Sequence, residues 1–191
     1  MTTRSLAVGF TALLLLALPS VATAALPRTG NTLIVPGKSI GGVTLGTSAA
    51  KVKQAWGPAK NCPYQCLYLG AAPKGGSAAL GSVLLESTGT TTPADPKDAR
   101  VWNAFIVAGN KLVGKTSVPD FSTPLTRFKT AKGIGLGSTT RQLKTAYRGL
   151  KKFQGAGAAV YTLSGKGTIE TQFTLIGGRI TSIAVRSHRG G

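Results

Sequence analysis

The apolar positions of the chain fall into runs of different spacing, and each predicts a different element. From Leu6 to Leu18 the residues are almost continuously apolar, centred on Leu13 to Leu16, until Pro19 and Ser20 end the run. Ala49, Val52, Ala55 and Trp56 recur at helical spacing, as do Leu143, Ala146, Tyr147 and Leu150, so each set predicts one face of an amphipathic helix. The second of these helices is expected from about Thr139 to Lys151, and Thr47 and Ser138 are the expected N-terminal caps. Segments 159–163, 168–176 and 179–187 are rich in β-branched and aromatic residues and predict a three-stranded meander. Gly165 and Gly167 punctuate its first turn and Gly177-Gly178 its second, while Gly109-Asn110 between two apolar runs predicts a further two-residue hairpin turn.

The chain also repeats itself. Gly42-Val43-Thr44-Leu45-Gly46-Thr47-Ser48 is echoed by Gly133-Ile134-Gly135-Leu136-Gly137-Ser138-Thr139, and the match continues through Val52, Lys53, Ala55 and Trp56 into Leu143, Lys144, Ala146 and Tyr147, all at an offset of 91. Phe105 to Leu112 is echoed by Phe173 to Ile180 at an offset of 68, which leaves 23 extra residues between helix and hairpin in the first copy. Those extra residues map to a Gly-, Ser-, Thr- and Pro-rich stretch at about 70–98, read as a surface insertion carrying one short strand at Val83-Leu84-Leu85. The expected fold is α+β: two tandem units, each an extended segment and an amphipathic helix packed on a small antiparallel sheet, at 25–120 and 121–191.

The first unit carries a further signal. Ile40-Gly41-Gly42-Val43-Thr44-Leu45-Gly46-Thr47-Ser48, with Val52 and Trp56-Gly57-Pro58 after it, resembles the signature of the BamE (SmpA/OmlA) family and of secreted proteins of the β-lactamase-inhibitor-protein type. The resemblance implies tandem α+β repeats that act as protein-binding or envelope-scaffolding modules without catalysis. The chain departs from it where Thr47 and Ser138 follow the glycine in place of Met, where Arg148-Gly149 replaces Gly57-Pro58 in the second copy, and in having no lipobox cysteine.

The leading apolar run is shorter than the roughly 20 residues of a membrane span. With Arg4 before it and Ala22-Thr23-Ala24 after it, it reads as a cleavable secretory signal over residues 1–24, with cleavage after Ala22 as an alternative. The mature protein is therefore expected outside the cytoplasm, secreted or in the cell envelope. Charge sharpens the picture: the chain carries 23 Lys and Arg against 5 Asp and Glu, a formal +18. Residues 121–191 hold 12 basic residues and one acid, a net +11, and no acid occurs from 121 to 169. Arg127, Lys129, Lys132, Arg141, Lys144, Arg148, Lys151 and Lys152 form the expected anion- or partner-binding set, with Arg141, Lys144, Arg148 and Lys152 as a stripe along the second helix. Export directs this surface to acidic envelope polymers or a protein partner, with at most peripheral contact at a membrane surface, and away from genomic nucleic acid.

Candidates for chemistry are sparse. Cys62 and Cys66 are most simply a disulfide across a tight loop in an oxidising compartment; a redox dithiol would more commonly be C-x2-C, and His188 is the sole histidine available to a metal site. Glu86, Asp95, Asp98, Asp120 and Glu170 are scattered, and His188 lies near the end of the chain, so no catalytic residue, cofactor or metal ligand is expected. Gly133-Ile134-Gly135-Leu136-Gly137 lacks the lysine and spacing of a phosphate-cradling loop. The expected function is an exported, non-enzymatic binding or scaffolding protein, with a secreted enzyme inhibitor as the alternative and a small hydrolase behind it.

Overall fold

A computed structural model of the chain describes residues 30–57, 66–69, 83–87, 100–155 and 157–187, with the backbone alone at 66–69, 83–87 and Trp102. The segment expected to be a leader, together with Cys62, Asp95, Asp98 and His188, lies outside the described residues, and Cys66 and Glu86 are placed only as strand positions. The fold is mixed α+β and mostly sheet. Strands β1 (Leu33–Val35), β2 (Ser39–Ile40) and β3 (Val43–Thr44) precede helix α1 (Ala49–Trp56). Strands β4 (Cys66–Leu69), β5 (Val83–Ser87) and β6 (Val101–Val107) lead to a hairpin of β7 (Gly109–Val113) and β8 (Thr116–Asp120). A 3₁₀ turn (Pro124–Arg127) and β9 (Lys129–Thr130) then precede helix α2 (Thr140–Ala146) and strands β10 (Lys151–Gln154), β11 (Ala159–Ser164), β12 (Ile169–Ile176) and β13 (Arg179–Ser187).

The strands form a seven-stranded sheet in the order β10-β11-β12-β13-β6-β5-β4, a four-stranded sheet β3-β2-β1-β9, and the separate β7-β8 pair. The seven-stranded sheet is antiparallel throughout, and its centre is the pairing of β13 with β6, with Ile183 opposite Ile106. Period-2 alternation puts a row of buried side chains across one face: Tyr161, Phe173, Ile183 and Ile106 are register neighbours on successive strands. Both helices and the four-stranded sheet contribute to the same core, through Val52 and Trp56 of α1, Leu143 of α2, and Ile34, Ile40 and Val43. Trp56 donates its indole N–H to the carbonyl of Gly41 (3.0 Å) and lies 6.3 Å from Phe128, so its polar edge is satisfied inside the core.

Each helix is joined to the large sheet by the same pair of backbone bonds. Gly46 donates to Val101 O and Val101 to Thr47 O; Gly137 donates to Ile180 O and Ile180 to Ser138 O. The helix sides of these junctions stand 91 residues apart and the strand sides 79, so the first half carries 12 more residues between helix and strand, where alignment by Phe105 and Phe173 predicted 23. A one-residue difference occurs at the caps, because Thr47 and Ser138 spend their backbone on those junctions and Ser48 and Thr139 occupy the cap positions. Thr139 completes a capping box with Gln142: its hydroxyl accepts from Gln142 N (3.2 Å) and its own N–H donates to Gln142 Oε1 (2.8 Å).

Two further expectations are corrected. Gly109-Asn110 is not a turn: Ala108 donates to Thr181 O and holds the chain on β13, and β7 begins at Gly109. The turn falls at Gly114-Lys115, where Gly114 has φ +61. Residues 83–87 are not a strand on a surface excursion, because β5 is an interior strand of the large sheet, between β4 and β6. Gly177 and Gly178, by contrast, form the predicted β12-β13 turn, both at positive φ.

Candidate functional site

The predicted basic stripe becomes two clefts on either side of α2. The helix stops at Ala146, five residues short of the expected end, because Tyr147 is already extended (φ −130, ψ 125) and Gly149 turns the chain at φ +73. The chain then runs back as β10 against β11, with Lys152 opposite Tyr161 and Lys151 opposite Thr162. Side chains alternate across a strand, so Lys152 projects to the face that carries Tyr161 and α2, and Lys151 to the other.

One cleft, of about 440 Å³, is lined by Lys144, Tyr147, Arg148, Gly149, Leu150, Lys152 and Tyr161. Lys144, Arg148 and Lys152 are exposed, and Lys144 Nζ stands 5.7 Å from the centre of the Tyr161 ring. The floor is fixed by packing: Tyr161 is buried, and Tyr147 stacks on Phe173 with ring centroids 6.0 Å apart. Burial pushes the Tyr147 phenol above its ordinary pKa, with a hydrogen bond to Thr130 opposing part of the shift, so the hydroxyl stays protonated at neutral pH. The second cleft, of about 380 Å³, is lined by Lys132, Gly133, Ile134, Arg141, Gln142, Thr145 and Ala146. Lys132 links the two, because its Nζ lies 4.9 Å from the Tyr147 ring centre and donates to Ala146 O (2.7 Å) at the carbonyl end of α2.

Neither cleft is lined by an acid. Glu170 is nearly buried beneath Arg186, whose Nε is 2.7 Å from its carboxylate, on the sheet face opposite Phe173 and Ile183. Asp120 accepts from Ser122 N (3.0 Å) and Ser122 Oγ (2.7 Å), which holds its carboxyl below the usual carboxylate range. Of the sequence-predicted set, five residues reach the clefts: Lys132 and Arg141 in one, Lys144, Arg148 and Lys152 in the other. Arg127 closes the 3₁₀ turn, Lys129 lies in β9, and Lys151 faces away; none of the three lines either cleft. Sequence reasoning read Tyr147 as a core residue and passed over Tyr161, although the pairing of a buried aromatic with an edge-strand lysine is what gives the larger cleft its floor.

The glycine run before α2 is structural in its hydrogen bonding. Gly133 donates to Thr130 O, Gly135 to Ser138 Oγ and Gly137 to Ile180 O, so the amides that would cradle a phosphate are already engaged. Among the described residues no group of three His, Cys, Asp or Glu side chains could hold a metal ion. Compared with protein-family models, with curated proteins and with solved structures, the chain matches none.

Proposed function

We propose that the chain is an exported, non-enzymatic binding protein of two BamE-like tandem α+β units that holds an acidic envelope polymer against the clefts beside α2. The observation that carries the reading is the acid-free cleft of Lys144, Arg148 and Lys152 over a tyrosine floor. An ordinary solubilising face mixes charges of both signs, and a run of 49 residues, 121–169, without an acid does not. The tandem-unit reading draws its support from the matched backbone junctions at Gly46/Val101 and Gly137/Ile180. A polyanion suits the site because two shallow basic clefts separated by one short helix can engage successive charges along a chain, each weakly, with the sum set by their number.

The test is binding of the purified protein to poly(glycerol phosphate) as a function of salt. Replacing Arg141, Lys144 and Arg148 by Glu is expected to weaken binding by at least tenfold at low salt. Loss of three phosphate contacts should also lower the slope of log affinity against log salt by about two to three. Binding that is unchanged in the variant, or indifferent to salt, refutes the proposal.

A further inference from the structure

The β7-β8 hairpin is the part of the fold that neither the core nor the clefts account for. It forms a two-stranded sheet of its own, in register from Gly109 opposite Asp120 to Val113 opposite Thr116. Every residue from Asn110 to Ser117 is exposed, including Leu112 at 75% and Val113 at 59%. A hairpin of two strands is marginal in water by itself, and Leu112 and Val113, mostly exposed at its free end, gain little from burial there. The register puts Val113 on one face of the ribbon and Leu112 on the other, which makes the tip apolar on both sides. Lys111 and Lys115 flank that tip, and the hairpin's one acid, Asp120, sits at the far end, tied to Ser122.

We infer that this hairpin is a membrane-surface probe, whose Leu112-Val113 tip enters the interface of an anionic bilayer while Lys111 and Lys115 meet the phosphate headgroups. Charge complementarity selects this occupant. Five residues of strand reach about 15 Å, more than the about 5–10 Å by which apolar groups are buried at such an interface. A second copy of the chain is a poorer fit, because two side chains offer far less than the roughly 1,000 Å² that a stable contact buries. The inference is independent of the clefts: it uses no residue of α2 and concerns insertion, which charge alone does not produce.

The experiment places a reporter at the tip. The purified protein with Leu112→Trp is titrated with vesicles of phosphatidylglycerol and phosphatidylcholine, some brominated in the acyl chains, and its emission is compared with that of the parent. The expected result is a blue shift and bromine quenching beyond the parent's with anionic vesicles, both much weaker with phosphatidylcholine alone. In parallel, the solvent-exposed pair Leu112→Ser and Val113→Ser should lower vesicle affinity by roughly tenfold or more at 0.5 M salt, where headgroup attraction is screened. Unshifted, unquenched emission from Leu112→Trp overturns the inference, as does undiminished high-salt binding of the double serine variant. Insertion that persists in the Arg141, Lys144 and Arg148 to Glu variant is expected, and this separates the tip from the cleft proposal.

Discussion

Leu143 is the residue on which the candidate site stands, and its truncation separates the fold's contribution from that of the charges. Helix α2 has only seven residues, below the length at which a helix holds itself together in water, so its position depends on what it buries. Leu143 is its one fully buried side chain, at 0% exposure. Leu143→Ala removes an isopropyl group, worth about 2.4 kcal/mol of transfer at ~0.8 kcal/mol per buried carbon, and leaves a cavity that raises the cost to about 2.5–5 kcal/mol. Against a total of about 5–15 kcal/mol this is severe, yet the variant retains every charge. In urea unfolding, at an m-value of about 1–3 kcal/mol/M, the midpoint should fall by roughly 1–5 M with little change in slope. Lys144→Ala, one residue on and exposed, should leave the stability within about 0.5 kcal/mol of the parent while weakening polyanion binding. A Leu143→Ala cost below about 1 kcal/mol would show that α2 is held by something other than its buried face, and would refute this account of the site.

Two further outcomes follow from particular contacts. A methyl group at Gly165 would lie 2.7 Å from Gly37 Cα and 2.9 Å from Ile169 O, both backbone atoms, so Gly165→Ala should cost about 1–3 kcal/mol in thermal or urea unfolding; Gly167→Ala, with open space around it but φ +66, tests strain without that clash. Tyr147 has a raised folded-state pKa, so its contribution to stability is fully present below the unfolded value near 10 and is lost as pH rises through the folded value. Ultraviolet titration should therefore show a late phenol ionisation above pH 10, with stability falling in the same interval, and Tyr147→Phe should remove that step.

Much of the fold was legible because alternation and turn chemistry agreed locally. The β11 to β13 meander follows its pattern of β-branched and aromatic residues, and Gly177-Gly178 supplies the two positive φ angles that its tight turn requires. Gly109-Asn110 carries the same local signal and is not a turn, because a sequence pattern does not reveal that Ala108 donates to Thr181 across the sheet. Strand β10 was missed for another reason: all four of its residues are exposed, Phe153 at 71%, so no buried face imposes a period on Lys-Lys-Phe-Gln. The sequence echo between Phe105 and Phe173 does not carry over to the backbone junctions, which fall on Val101 and Ile180, because the two segments share composition and not the bonds that tie helix to sheet.

The basic stripe expected along one helix has a different geometry in the structure, and the difference matters for what the proposed site could bind. As a continuous helical stripe, Arg141, Lys144, Arg148 and Lys152 would form one linear ridge, suited to a flat anionic surface. The break at Tyr147 and the left-handed Gly149 convert the end of that ridge into a returning strand, so that Arg148 and Lys152 stand with Lys144 around a common cleft. Arg141, three residues before Lys144, instead lines the other cleft with Lys132. A ridge presents charges outward, where water and salt screen them, whereas a cleft of about 440 Å³ over buried Tyr161 and half-buried Tyr147 limits that screening on one side. The proposed polymer, whose successive phosphates are discrete anionic groups, suits two such clefts better than a planar sheet of charge does, and a planar partner is the one proposed for the hairpin with its apolar tip.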